Sequence, residues 1–395
     1  MTPAARTQAA IELLDEIVAA AASGGAAADT LIARYFSTRR YAGSKDRRAV
    51  REFVYAAIRQ AGALPVNGRA AMLAVADHDP AIAATFDGSA HGPAPIAADE
   101  PRAEGGVAPA WLVEALTASG LDDRQLAALI DRAPLDIRIN SLMTTRAAVL
   151  EQWADATPTP HAPTGIRLPN GTPVEPSDLY RAGLVEVQDE GSQMVGAAMS
   201  AQPGEWLVDL CAGAGGKTLQ LAAAMGNQGA LLACDIDRAR LQRLAPRAER
   251  AGATIIESRL LNPGREAEML ADWAGKADGV LIDAPCSGTG TWRRNPEARW
   301  RLTPERLARL EAAQMQVLEI GAGLVKAGGR LVYIVCSLLD AEGSDQVARF
   351  LASHPGWSPE PVEPGIGTPR GFGQRLDPAT HGTDGFFVAC LRAPC

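Results

Sequence analysis

From residue 204 onward the chain alternates short apolar runs with amphipathic stretches, and this rhythm constrains its fold more than any other feature. Apolar runs at 206–211, 230–235, 254–258, 279–283 and 330–335 predict strands, with a late one at 385–393. Three-and-four spacing predicts helices between them, notably 217–225, 238–251 and 304–326. Such alternation implies a mostly parallel α/β sheet covered on both faces. Ligands of these sheets bind beyond the carboxyl ends of the strands.

The upstream part reads differently. "RTQAAIELLDEIVAAAA" and "SKDRRAVREFVYAAIRQ" carry helical periodicity, and helical segments continue to about residue 85. Residues 86–106 are rich in Ala, Pro, Gly and Asp without periodicity, which predicts a linker or long loop. Helical patterns resume, then come a strand at 136–140, a capped helix from Thr144 or Thr145 to about Ala154, and a strand at 183–189. These shifts divide the chain into 1–85, 86–106, 107–200 and 201–395.

At 395 residues with 47% hydrophobic and 21% charged residues, the composition is that of a soluble globular protein with more than one domain. No apolar run approaches the ~20 residues of a membrane span. The first residues lack a signal peptide's apolar centre, so a cytoplasmic protein is expected. The six cysteines (211, 234, 286, 336, 390, 395) form no C-x-x-C pair and none has a histidine at zinc-ligand spacing. A reducing compartment with individually placed thiols, and no metal, is the expectation.

The net charge of −8 counts mildly against a nucleic-acid partner, but its distribution matters more. Residues 34–59 hold eight basic side chains, including Arg39, Arg40, Lys45, Arg47 and Arg48, against Asp46 and Glu52. A second cluster, "WRRNPEARWR" at 292–301, contributes Arg293, Arg294, Arg299 and Arg301. Either cluster alone could be a solvated helix face. Together they point to a polyanionic substrate.

The first strand of the alternating region runs into "DLCAGAGGKT", 209–218. A dinucleotide loop, G-x-G-x-x-G, needs a third glycine where Thr218 stands, and a P-loop needs its opening glycine where Cys211 stands. An S-adenosylmethionine site fits better. It uses a glycine loop for close backbone approach and an acid at the end of the second strand for the ribose hydroxyls. Asp235 is placed for that, while Asp237 reads as the N-cap of the next helix. Lys217 stands out because only four of the 38 Lys and Arg residues are Lys; a carboxylate partner at the helix start is the expectation.

Two cysteines, Cys286 in "LIDAPCSGTG" and Cys336 in "RLVYIVCSLLD", each follow a strand and enter a Ser-containing turn. Cys211, Cys234 and Cys390 lie inside or at the ends of apolar strands and read as small buried hydrophobes. A methyl donor and a thiol at one sheet edge suit methylation at C5 of cytosine or uracil, which is too weak a nucleophile alone. Thiolate addition to C6 raises electron density at C5. One cysteine suffices for the attack; the other could carry a proton or help break the adduct. Asp283, three residues before Cys286, is placed to hold or protonate the ring at N3.

These motifs, with "VQDEGSQM", "CDID" and "TDGFFVACL", resemble the Sun/Fmu-type RNA (cytosine-5) methyltransferase family over about residues 110–395. The helical N-terminus is similar to the NusB-like domain of the bacterial member acting on 16S ribosomal RNA. The resemblance implies a Rossmann-like, S-adenosylmethionine-dependent catalytic domain at 201–395. It also implies an all-α NusB-like RNA-binding domain at 1–85 and a small α+β RNA-contacting subdomain at about 130–200. It implies Cys336 as nucleophile, Cys286 as the group assisting product release, and a donor site at Cys211, Ala212, Gly213, Ala214, Gly215, Gly216, Lys217, Asp235 and Asp283. Three positions depart from the family pattern: Gly213-Ala214 replaces Ala-Pro, Val335 replaces Thr, and Arg259 stands where an Asp is common. The reading is therefore a monomeric RNA methyltransferase forming 5-methylcytosine, with ribosomal RNA as partner. An RNA-binding ribosome assembly factor with weak or lost turnover, and a P-loop nucleotide hydrolase, are the alternatives.

Overall fold

The computed structural model describes residues 1–365 and 367–395. The chain divides into two units, Met1–Arg132 with Thr291–Pro304, and Ala133–Gly290 with Glu305–Cys395.

The first unit is helical. Helices Pro3–Ser23, Ala28–Thr38, Ser44–Gln60 and Gly68–Ala76 bury Leu13, Leu14, Ile17, Val54, Ile58 and Met72 in one core. The first helix starts where Thr2 accepts from the Ala5 N–H, and stops at Gly24, whose φ of 73° disfavours side chains with a Cβ. Residues 86–106 form a long loop packed on this core, not a free linker. Phe86, Ile96 and Ala103 pack on the helical core, Arg69 pairs with Glu100, and Ala61 bridges Gly105. Small and Pro-rich residues hide such packing from a periodicity reading. The boundary expected at residue 107 accordingly lies at 132–133.

The segment 291–304 completes this unit by meeting helix ends. The Glu297 carboxylate accepts from the Ala28 N–H at 3.0 Å, at the start of one helix. Arg299, fully buried, donates to the Ile58, Arg59 and Ala61 carbonyls at 2.7, 3.2 and 2.8 Å, at the end of another. Arg301 donates to Gly25 and Ala26 carbonyls just past the first helix. Anions at helix N-termini and cations at C-termini satisfy orphan backbone groups and oppose the dipole. Burial pushes Arg299 down to about 10, so it still carries its charge at neutral pH.

The second unit holds two sheets. Strands β1 (Leu135–Ile139), β2 (Thr157–Pro158), β3 (Gly165–Leu168) and β4 (Val185–Val187) form an antiparallel sheet in the order β2-β3-β1-β4. The large sheet contains β5 (Trp206–Asp209), β6 (Ala230–Asp235), β7 (Ile256–Leu260), β8 (Ala277–Asp283), β9 (Val325–Val335), β10 (Ser358–Glu360), β11 (Thr368–Arg370), β12 (Gly373–Leu376) and β13 (Phe386–Arg392). Its order is β11-β12-β13-β9-β8-β5-β6-β7, with β10 on β13. The five strands β5 to β9 run parallel, and β13 pairs antiparallel with β9.

Alternate residues feed opposite faces, as a pleat requires. Val280 and Ile282 join Leu318 and Phe350 on one side, while Leu281 joins Val195, Leu221 and Met225 on the other. The expected helix 238–251 is two, Arg238–Leu241 and Leu244–Arg250, because Pro246 has no N–H to continue the ladder. Among the described residues no helix is long and apolar enough to cross a membrane.

Candidate active site

Asp209, Asp235 and Asp283 are the last residues of β5, β6 and β8, and Cys336 is the first after β9. The parallel register therefore gathers all four at one sheet edge.

The loop 210–215 links β5 to the helix Gly216–Ala224. Gly213 and Gly215 sit at φ 55° and 86°, the left-handed region that glycine enters without strain. A Cβ on Gly215 would meet Leu244 Cδ1 at 2.2 Å, whereas the space beside Gly216 is open. Asp235 ties the loop down: its carboxylate accepts from the Gly213 N–H and the Asp237 N–H, each at 2.7 Å. Asp237 caps the next helix through the Arg240 N–H at 3.0 Å, the role its position suggests. A carboxylate offers about four acceptor directions, so Asp235 retains capacity for a ligand. Beside it, Ile236 is 57% exposed, an apolar platform that sequence reading passed over. Its one signal was an apolar residue between two acids at a strand end.

Lys217 is buried and donates to Asp283 at 2.7 Å and Ser192 at 3.4 Å, with its ammonium 5.6 Å from the Phe386 ring. Burial opposes its charge, but the charge and hydrogen bond of Asp283 outweigh burial and hold Lys217 above its ordinary value. The scarce lysine thus has the carboxylate partner the sequence called for. Ser192 and Phe386 were not legible as its neighbours, since each is remote in sequence. Thr218 donates to Asp209 at 2.6 Å, and Asp209 is fully buried.

Arg259, the departure on β7, does not stand unpaired. It ion-pairs with Asp272 and Glu257, and donates to the Met269 carbonyl at 3.0 Å.

The two cysteine loops meet on adjacent strands. Asp283 pairs with Ile334 in the β8–β9 register, and the Cys286 and Cys336 sulfurs lie 3.3 Å apart. The Gly290 N–H donates to the Cys336 carbonyl at 3.0 Å, fastening one loop to the other. Hydrogen bonding to Cys336, then burial, then the charges of Cys336 and Glu342 push the Cys286 thiol well above its ordinary value. Cys286 therefore keeps its proton at neutral pH. Burial likewise pushes up Cys211, Cys234 and Cys390, the last to about 12, which suits inert packing thiols.

The basic clusters separate. Arg40, Lys45, Arg47 and Arg48 are exposed on the helical unit. Arg39 lies over the Tyr35 ring at 3.5 Å and is only partly exposed. The second cluster needs correction as an RNA surface. Arg299 is spent on helix carbonyls, Arg301 donates to Gly25 and Ala26, Arg293 is buried and Arg294 partly so. A charge run reads alike whether it meets solvent or caps helices far away in sequence.

Residues 197–392 match the model of the family 16S rRNA methyltransferase RsmB/F. The chain is 38% identical over 302 residues to the probable ribosomal RNA small subunit methyltransferase B of Synechocystis sp., covering 72% of this chain and 66% of that protein. It is 41% identical over 218 residues to ribosomal RNA small subunit methyltransferase B of Thermus thermophilus, covering 55% and 52%. The chain thus spans about two thirds or less of the length of these relatives. The solved structure of PH0851 matches with a TM-score of 0.79 over 98% of each chain at 24% identity, which shows the fold. NSun6 from Pyrococcus horikoshii, solved with SFG, matches with a TM-score of 0.65 over 72% of this chain and 98% of that one, at 19% identity. With its glycine loop and paired cysteines at one sheet edge, the chain belongs to the 16S rRNA methyltransferase RsmB/F family.

Proposed function

We propose that this protein forms 5-methylcytosine in 16S ribosomal RNA, using S-adenosylmethionine and a covalent adduct between Cys336 and C6 of the base. The observation that carries the reading is the 3.3 Å contact of the two sulfurs on the loops after β8 and β9, at the edge holding the glycine loop. The residues fit the donor: left-handed glycines in the loop, open space at Gly216, acceptor capacity on Asp235 and an exposed Ile236. When bound, the donor supplies an electrophilic methyl group.

The chain's own groups do the rest. Cys336, as thiolate, forms the S–C6 bond and leaves an enamine at C5, while Asp283, held by Lys217, faces the ring nitrogen at N3. After methyl transfer the C5 proton passes to water as base, its electron pair re-forms the C5=C6 bond, and the S–C6 bond breaks to release Cys336 as a thiolate. Cys286, the proton-holding thiol, assists that release. The names of the relatives support 16S rRNA as substrate, and the exposed basic residues of the helical unit suit a phosphate partner. The assembly-factor alternative gains nothing from Arg259, whose charge is met by Asp272 and Glu257.

Calorimetry with the full chain tests the donor. S-adenosylmethionine should bind, and Asp235→Ala should weaken it by about 1.5–3 kcal/mol, the loss expected for hydrogen bonds to a charged acceptor. ATP binding without donor binding would end this reading.

A further inference from the structure

Both cysteine loops are fastened to one buried carboxylate. Glu342 lies fully buried in the turn Asp340–Glu342 beyond β9. Its Oε1 accepts from the Ser287 N–H at 2.8 Å and from Gln314 Nε2 at 3.0 Å, and its Oε2 accepts from Ser287 Oγ. Gln314 also donates to the Pro285 carbonyl at 2.9 Å, so the residues on both sides of Cys286 are held. The Ser287 and Ser337 hydroxyls are 3.2 Å apart, and Thr289 joins Ser337 at 3.1 Å. Thr289 Oγ1 in turn accepts from the Leu338 N–H at 2.9 Å. The Tyr333 hydroxyl donates to the Glu342 carbonyl at 2.7 Å, fixing the turn itself on β9. Ser287 and Ser337 are the residues directly after the two cysteines.

A carboxylate matches this brace: Ser287 presents an N–H and an O–H, and each meets its own oxygen of Glu342. A glutamine of the same shape puts an NH2 in place of one acceptor, so the Ser287 hydroxyl can no longer donate there. Every donor that meets the carboxylate is uncharged, and the Glu342 carboxylate acts against a second negative charge on Cys286. The titratable groups against Cys286 are Cys336, Glu342 and Tyr333.

We propose that Glu342 is a positioning residue for the two-cysteine reaction: by fastening Ser287 it holds the Cys286 and Cys336 sulfurs in contact. The proposal rests on the covalent reading above. Sulfurs released from contact would leave the adduct without its resolving thiol, and misplacement of about 1 Å costs on the order of a hundredfold in rate.

The test measures two things on the full chain: methyl transfer to 16S rRNA, and capture by phenylarsine oxide, which bridges two adjacent thiols with release of water. Glu342→Gln should slow transfer on the order of a hundredfold and slow dithiol capture, with donor affinity unchanged by calorimetry. Ser287→Ala should shift both readouts the same way by less, and carries the test if Glu342→Gln does not fold. The double variant should be no worse than Glu342→Gln, because both act through one connection. Any other combination overturns the proposal: transfer at the wild-type rate, or transfer lost with capture intact. Cys336→Ala run in parallel separates the two failures. If that variant still methylates, the covalent reading falls, while capture by the wild type and Glu342→Gln still reports whether the carboxylate sets the sulfur contact.

Discussion

Asp209 is a carboxyl fully buried at the end of β5, and burial pushes it up to about 7 against the opposing hydrogen bond from Thr218. The folded state therefore holds this proton more tightly than the unfolded chain, whose value is near 3.8. Its contribution to stability is fully present below the unfolded value and is lost as pH rises through about 7. Asp209→Asn should leave the unfolding midpoint near wild type at pH 4 and raise it above wild type at pH 8. A difference independent of pH between the two would show that Asp209 is ionised in the folded protein at both. At this scale the sequence was most legible where a residue's place on the strand fixes its surroundings. Asp235, Asp283, Cys286 and Cys336 could be read because the end of a parallel strand is also the edge of the site. Lys217 could be read because lysine is scarce in this chain. Ser192, Phe386 and Glu342 could not, since their partners come from other elements.

Among the elements, strands β5 to β9 and β13 were legible because each apolar run sits between turn residues, although β7 begins two residues later than expected. The short strands β10, β11 and β12 have no apolar run and were not expected. The helix interrupted at Gln242 and Arg243, ahead of Pro246, and the packing of the loop 86–106 were not legible either, for reasons local to each. The largest revision is the segment 291–304, whose charges cap helices instead of lining a surface. Arg299→Met should therefore cost about 3 kcal/mol of stability, because it strips a charged donor from three buried carbonyls. Arg299→Lys should not restore it, since one ammonium cannot reproduce the planar fork. Thermal unfolding of both variants checks this; a loss under 0.5 kcal/mol, the usual range of surface changes, would mean the carbonyls find other donors.

For the whole molecule, the RNA binding proposed above would have to come from patches, because the net charge is −8. Arg40, Lys45 and Arg48 are exposed on the helical unit, and replacing all three with Gln should flatten the salt dependence of rRNA binding by roughly two in logarithmic slope. Donor affinity should be unchanged, as Asp235 and the glycine loop lie in the other unit. An unchanged slope would reduce the cluster to a solvated helix face. Point substitutions suit this test better than removing residues 1–105, which would expose Trp300 and strip Arg299 of its carbonyl partners. The central claim, that Cys336 attacks and Cys286 releases, is tested most directly by a denaturing gel of each cysteine variant after incubation with 16S rRNA and S-adenosylmethionine. Cys286→Ala should remain covalently attached to RNA, and Cys336→Ala should form no adduct and no 5-methylcytosine. An adduct trapped by Cys336→Ala instead would contradict the account and reverse the two roles.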